Sequence, residues 1–205
     1  MVDDEKFWNR TAKKYAKSPI KNMEAYLQTM DRVKAHLSKE DQVLELGCGT
    51  GSTALLLADS ADRITGSDIS SAMIDIAKSK AKDQEVGNVD FLRWTVSDGK
   101  LEREPFDAVM AFNFLHLVED TAGAVRRVTE LLKPGGVFIS KTLCLAEKTK
   151  LLRVLVYVMQ KVGYAPYVKF FGIGDLEQSI TKAGFEIIET GMYPAPSRFI
   201  VARRI

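Results

Sequence analysis

A chain of 205 residues, 46% apolar and 27% charged, has the balance of one folded domain and excludes disorder, collagen-like repeats and a membrane bundle. Its 29 Lys and Arg against 27 Asp and Glu leave a formal charge of +2, too small to require a nucleic-acid or anionic-lipid partner. Two cysteines (Cys48, Cys144) and two histidines (His36, His116) exclude a disulfide scaffold and a Cys/His zinc cluster, and no other metal-ligand set is read.

Met1 to Glu5 is acidic and lacks the apolar core of a secretory signal. Together with the two thiols this predicts a reducing, cytoplasmic location. Residues 3–37 have apolar residues at three- and four-residue spacing, and Pro19 divides them into two predicted helices. A short strand, 43–46, runs into Gly47. Ser52-Thr53 opens a helix over 52–60, and 63–68 is a second strand. Ser70 caps a helix to about Lys82, with Met73, Ile74 and Ala77 on its inner face. Strands follow at 89–96 and 106–112, then a helix at about 122–132. The turn Lys133-Pro134-Gly135-Gly136 leads to a fifth strand, 137–140. Strands and helices alternating at this spacing predict a parallel, doubly wound α/β sheet with helices on both faces.

The last third differs. Residues 147–171 read as helical and apolar, punctuated by Gly163 and Pro166, and the apolar run from Leu151 to Met159 is about half the ~20 residues of a membrane span. Asp175 is expected to cap a helix ending before Gly184. Residues 185–189 and 198–202 flank the turn-rich Pro194 to Ser197 and predict an antiparallel hairpin. No repeat or low-complexity tract is present, and 1–205 reads as a single domain.

Glu45-Leu46-Gly47-Cys48-Gly49-Thr50-Gly51 lies between a strand and a helix, where sheets of this kind bind nucleotides. Glycines there permit a tight turn and let backbone amides approach a ligand. Asp68 follows Gly51 by 17 residues, at the end of the next strand, where a carboxylate can accept from ribose hydroxyls. At that position it is expected to matter for the ligand and hardly for the core. Gly49 to Ala54 also matches the dinucleotide pattern, which leaves a nicotinamide-dependent oxidoreductase open. Glu45, two residues before the first glycine, would repel a pyrophosphate but suits a cationic, amino-acid-bearing ligand.

Val43 to Gly51 resembles motif I of the class I S-adenosylmethionine-dependent methyltransferases, closest in flavour to the small-molecule branch with ubiquinone- and menaquinone-biosynthesis enzymes. The resemblance continues through Thr65 to Ser70, Phe106 to Val109, Asn113 to Leu117 and Leu132 to Gly136. It also takes in Phe7 to Tyr15 and the closing hairpin after Gly184. It implies a Rossmann-like, seven-stranded sheet whose last strand is antiparallel. It implies that Gly47, Cys48 and Gly49 line the methionine part by backbone, with Glu45 near its amino group. Asp68 would hold the ribose, Ile69 and Met73 the adenine, and Asn113 would lie beside the methionine part. Residues 1–40 would form a helical lid with Tyr15 closing over the cofactor. Where the family shows Gly-Asp-Ala, this chain reads Trp94-Thr95-Val96, which leaves Thr95 to accept a hydrogen bond from adenine and the Val96 amide to donate one. Where the family often has paired histidines, only His116 is present, a candidate general base or a packing residue.

The expected activity is methyl transfer to a small, hydrophobic acceptor by in-line displacement, with no nucleic-acid partner. A non-catalytic, cofactor-binding subunit of a partner enzyme is the other alternative. The segment 147–175 is expected to be a helical cap that packs on the sheet, walls a hydrophobic substrate pocket or touches a membrane.

Overall fold

A computed structural model of the chain describes residues 4–146 and 150–205. Met1 to Asp3, and the start of the expected cap at 147–149, lie outside the described residues. The helices are α1 (Asp4–Lys17), α2 (Met23–Lys34), α3 (Ser52–Leu56), α4 (Ser71–Asp83), α5 (Thr121–Leu131), α6 (Lys150–Lys161) and α7 (Ile173–Lys182). The strands are β1 (Gln42–Leu46), β2 (Arg63–Asp68), β3 (Val89–Arg93), β4 (Phe106–Phe112), β5 (Leu132–Leu143), β6 (Phe185–Met192) and β7 (Ser197–Arg204).

The seven strands form one sheet in the order β3-β2-β1-β4-β5-β7-β6. β1 pairs in parallel with β2 (Val43 opposite Ile64) and with β4 (Leu44 opposite Val109). β7 is antiparallel to both β5 and β6 and lies between them. Central strands covered on both faces need near-continuous apolar runs, and β1 and β4 supply them. Val43, Ile64, Phe91, Met110 and Val201 form one core with residues of α2, α3 and α4. Leu44, Phe106, Val109, Phe138 and Ile200 form the other with residues of α5 and α7. The chain leaves β1 in one direction along the sheet and β4 in the other, so a crevice opens at the carboxyl ends of β1 and β4.

Local chemistry sets the helix ends. Asn22 caps α2 by accepting from Ala25 N–H at 2.9 Å, and Ser70 caps α4 by accepting from Met73 N–H at 3.1 Å. The expected helix over 52–60 is shorter: α3 ends at Leu56, and a 3-10 turn at 58–60 follows. Asp175 is not the cap of α7. It sits inside the first turn and reaches back to accept from the Gly172 N–H at 2.9 Å. The third strand stops at Arg93, not Val96: the Trp94 N–H makes the last bond of the ladder, to Asp68 O (3.2 Å), and the Asp98 carboxylate then takes the Thr95 N–H (2.8 Å). Of the expected helical cap, the described residues are helical at 150–161 and again from Ile173, where α7 begins, and 166–172 has no regular secondary structure. That stretch is pinned by backbone bonds from Lys169 N–H to His116 O (2.7 Å) and from Leu145 and Ala146 N–H to Phe171 O (3.1 Å each).

Candidate functional site at the carboxyl ends of β1 to β4

β1 ends in a loop whose glycines are needed for different reasons. Gly47 has φ +67°, and a Cβ there would lie 2.6 Å from the Phe114 ring. Gly49 has φ +53° but open space, its nearest neighbour being the Tyr15 ring at 3.7 Å. An L-residue is therefore excluded at Gly47 by packing as well as conformation, and disfavoured at Gly49 by conformation alone. The loop amides are largely committed within the protein. Cys48 N–H donates to Ser67 O (2.9 Å), Gly51 N–H to Cys48 O (3.0 Å) and Gly49 N–H to Asp68 Oδ2 (3.0 Å). The glycines thus bring the main chain close to the cavity, and these three amides do not present free donors to it.

Asp68 is the hinge of the arrangement. Its Oδ2 accepts from Gly49 and its Oδ1 from the Ser70 N–H at 2.9 Å. One carboxylate therefore joins the glycine loop to the start of α4. Burial raises its pKa, and these backbone donors oppose the shift. Asn9 Oδ1 adds a second link, accepting from Ser70 Oγ (2.7 Å) and Ala72 N–H (3.1 Å) and so docking α1 on α4. Asp4, Trp8 and Tyr15 share one face of α1, and Trp8 meets Tyr15 edge-to-face at 6.3 Å.

These elements enclose a cavity of ≈ 640 Å³. Of the residues expected at the site, Tyr15, Gly47, Gly49, Asp68, Ile69, Met73, Thr95, Val96 and Asn113 all line it. Asn113 has φ +53°, and its N–H is held by Lys141 O at 2.7 Å, an arrangement that sends Phe114 onto Gly47. Thr95 Oγ1 already accepts from the Ser97 N–H at 3.3 Å. Sequence reasoning missed Trp8, Trp94, Phe112, Phe114 and the run 117–120 with Gly123 and Ala124. One signal could have found the run: the stretch between Asn113 and the cap of the next helix must cross the carboxyl end of β4.

Three expected residues are not on the cavity wall. Glu45 is buried behind the loop, where its carboxyl takes the Ala54 N–H, and Oε2 has no partner among the described residues. Burial, with the nearby Asp68 charge, pushes its pKa up to about 8. Cys48 is buried, its thiol pushed well up by burial, so only its backbone serves the loop. His116 sits in a 3-10 turn, with Nδ1 buried and without a partner among the described residues. Burial lowers its pKa to about 4, which leaves a weak base that is not on the cavity wall and gives no support to the catalytic role expected of it.

A family model described as a methyltransferase domain matches residues 44–138. The chain is 26% identical over 174 residues to the ubiquinone biosynthesis O-methyltransferase of Coxiella burnetii, covering 82% of this chain and 74% of that protein. It is 29% identical over 155 residues to the protein of that name from Saccharophagus degradans, covering 73% and 65% respectively. Among solved structures, YcgJ of Bacillus subtilis superposes with a TM-score of 0.72 at 17% identity, over 87% of this chain and 98% of that one, a likeness of fold. The matched segment, a little under half of the chain, runs from the glycine loop's strand to the middle of β5, through the landmarks that frame the cavity, and over it the chain is similar to the S-adenosylmethionine-dependent methyltransferases.

Proposed function

We propose that this enzyme methylates a small, hydrophobic acceptor. The observation that carries the reading is the cavity wall, where Trp8, Trp94, Phe112, Phe114, Leu117 and Val118 supply apolar surface around a few polar groups. Its ≈ 640 Å³ lies in the range of small-molecule sites, about 300–1,000 Å³. The relatives named for ubiquinone biosynthesis point to the same class of acceptor.

The residues present fit S-adenosylmethionine. Each Asp68 oxygen has accepted one backbone N–H, and its remaining lone pairs suit the ribose hydroxyls. Ile69 and Met73 suit the adenine face, with Thr95 and Val96 at its edge. Gly47, Cys48 and Gly49 by backbone, and Asn113, suit the methionine part. Tyr15 suits a lid. Glu45 lies behind the loop with an unpartnered buried oxygen and, protonated below about pH 8, offers a cationic amino group a dipole and not a full charge. His116 we assign to packing. The bound cofactor supplies the chemistry, a methyl group on a sulfonium that is already a good leaving group. The chain aligns the acceptor in line with it and excludes water.

Calorimetry with S-adenosylhomocysteine and with NAD tests the cofactor half, and the former alone should bind. Formation of S-adenosylhomocysteine by the isolated chain, screened over apolar small molecules bearing hydroxyl groups, tests the acceptor half. Turnover on proteins or nucleic acids with none on such molecules would overturn it.

A further inference from the structure

The cavity wall that follows β3 is a tight turn whose one carboxylate closes the turn itself. The Asp98 N–H donates to Thr95 O at 3.0 Å, and the Thr95 N–H donates to Asp98 Oδ2 at 2.8 Å. Asp98 is exposed and does not line the cavity, whereas Trp94, Thr95, Val96 and Ser97 do. The Trp94 indole N–H is taken by Gly99 O at 3.0 Å, and Thr95 Oγ1 accepts from the Ser97 N–H at 3.3 Å. Along this stretch of wall the only side-chain acceptors are therefore two neutral hydroxyls, those of Thr95 and Ser97.

The same stretch carries a main-chain donor. The Val96 N–H has no partner among the described residues. A ligand edge laid against the turn meets that N–H flanked by hydroxyls, with no charged group.

These groups read a purine unequally. A backbone N–H can only donate, so it requires an acceptor, which adenine offers at N1. A hydroxyl both donates and accepts, so it imposes no such requirement on the group at position 6. Magnitude separates the cases further. A hydrogen bond between neutral groups is worth about two- to tenfold in affinity, and one to a charged group about ten- to a hundredfold. Only a carboxylate, which accepts and cannot donate, would make the 6-amino group a condition of binding, and the one on this turn is engaged by the Thr95 N–H.

We propose that the cofactor site identifies its purine at N1, through the Val96 N–H, and leaves position 6 unread. The site then admits a further class of ligand, cofactors whose purine lacks the 6-amino group. The inference rests on the reading that adenine lies against Ile69 and Met73 with Thr95 and Val96 at its edge, and the two fail separately in the following test.

The full chain is titrated by calorimetry with S-adenosylhomocysteine, with its analogue bearing unsubstituted purine and with its analogue bearing hypoxanthine. Unsubstituted purine keeps N1 as an acceptor and should bind within about tenfold of S-adenosylhomocysteine. Hypoxanthine carries hydrogen on N1, which sets donor against donor at Val96, and should bind more than about tenfold more weakly. Thr95→Asp places a carboxylate on the wall and should widen the gap between adenine and unsubstituted purine beyond about tenfold. Asp98→Asn should leave the wild-type ratio of the two affinities as it is, even where the looser turn lowers both. A wild-type preference for adenine over unsubstituted purine beyond tenfold overturns the proposal. So does hypoxanthine binding within tenfold of adenine, a folded Thr95→Asp variant with an unchanged ratio, or a ratio that shifts in Asp98→Asn. Binding of S-adenosylhomocysteine alone would fell this proposal and leave the cofactor reading standing; binding of none of the three would fell both.

Discussion

Enclosed behind the glycine loop, the Glu45 carboxyl keeps its proton up to about pH 8, against an ordinary value of 4.5. The folded state therefore binds a proton that the unfolded chain has released between those values. Its contribution to stability is complete below pH 4.5 and is lost as pH rises through about 8. Glu45→Gln keeps the shape but cannot ionise. Its melting temperature without ligand should be flatter across that window than the wild type's, which melting curves at the two ends would show. Binding of S-adenosylhomocysteine at neutral pH should change by less than about tenfold, because the Glu45 carboxyl is uncharged there and lies behind the loop. Asp68→Ala should act twice. It leaves the Gly49 and Ser70 amides without an acceptor, at about 1–3 kcal/mol, and lowers the melting temperature by roughly 2–4 °C per kcal/mol. It also removes the ribose acceptor, weakening S-adenosylhomocysteine by about ten- to a hundredfold. Asp68→Asn retains one acceptor and should fall between. Melting each variant with and without ligand separates the two effects, and an unchanged melting temperature without ligand would refute the structural one. That double role was invisible in the sequence, which locates a carboxylate at a strand end but not the amides it will meet.

One side-chain oxygen, Asn9 Oδ1, makes the polar link between α1 and α4. Asn9→Ala removes the acceptor for Ser70 Oγ and Ala72 N–H, at about 1 kcal/mol. Amide exchange over 4–17 should quicken and cofactor affinity should fall by about fivefold, with the melting of the sheet unchanged; unaltered exchange would mean that packing alone holds the helix. In the cap segment two aromatic residues should behave oppositely. Tyr157 is 59% exposed, and Tyr157→Ala should cost little stability, whereas Phe171 is buried in the core under α5 and α7. Phe171→Ala should cost about 3–5 kcal/mol, read as a denaturation midpoint shift. The contrast also shows what pattern could and could not tell. β1 and β4, buried on both faces, were legible as apolar runs, and α4 from its Ser70 cap and spaced Met73, Ile74 and Ala77. Residues 166–172 were not, because an apolar stretch pinned by distant backbone partners such as His116 O has no period of its own. At the site, the loop and Asp68 stood out by spacing. Trp8, Phe114 and Leu117 did not, since apolar residues on a cavity wall look like core until the fold assigns them a side.

Two cores share one seven-stranded sheet, and each borrows strands from the whole length of the chain: Val43 and Val201 meet in one, Leu44 and Ile200 in the other. We expect a single cooperative transition on heating, the mark of one domain. S-adenosylhomocysteine at a hundred times its Kd should raise stability by about 2.7 kcal/mol, or roughly 5–11 °C. Two separate transitions, only one of them moved by ligand, would divide the molecule. The position of β7 has a further consequence for how the protein is made. β6 leaves the ribosome before β7, yet its only neighbour in the sheet is β7, which also completes β5. A nascent chain must therefore hold the open edge of β5, with Phe138 and Ile139 beside it, until residues 197–204 have emerged. The molecule closes from its end, and a chain interrupted at Pro196 would lose two strands of the sheet at once.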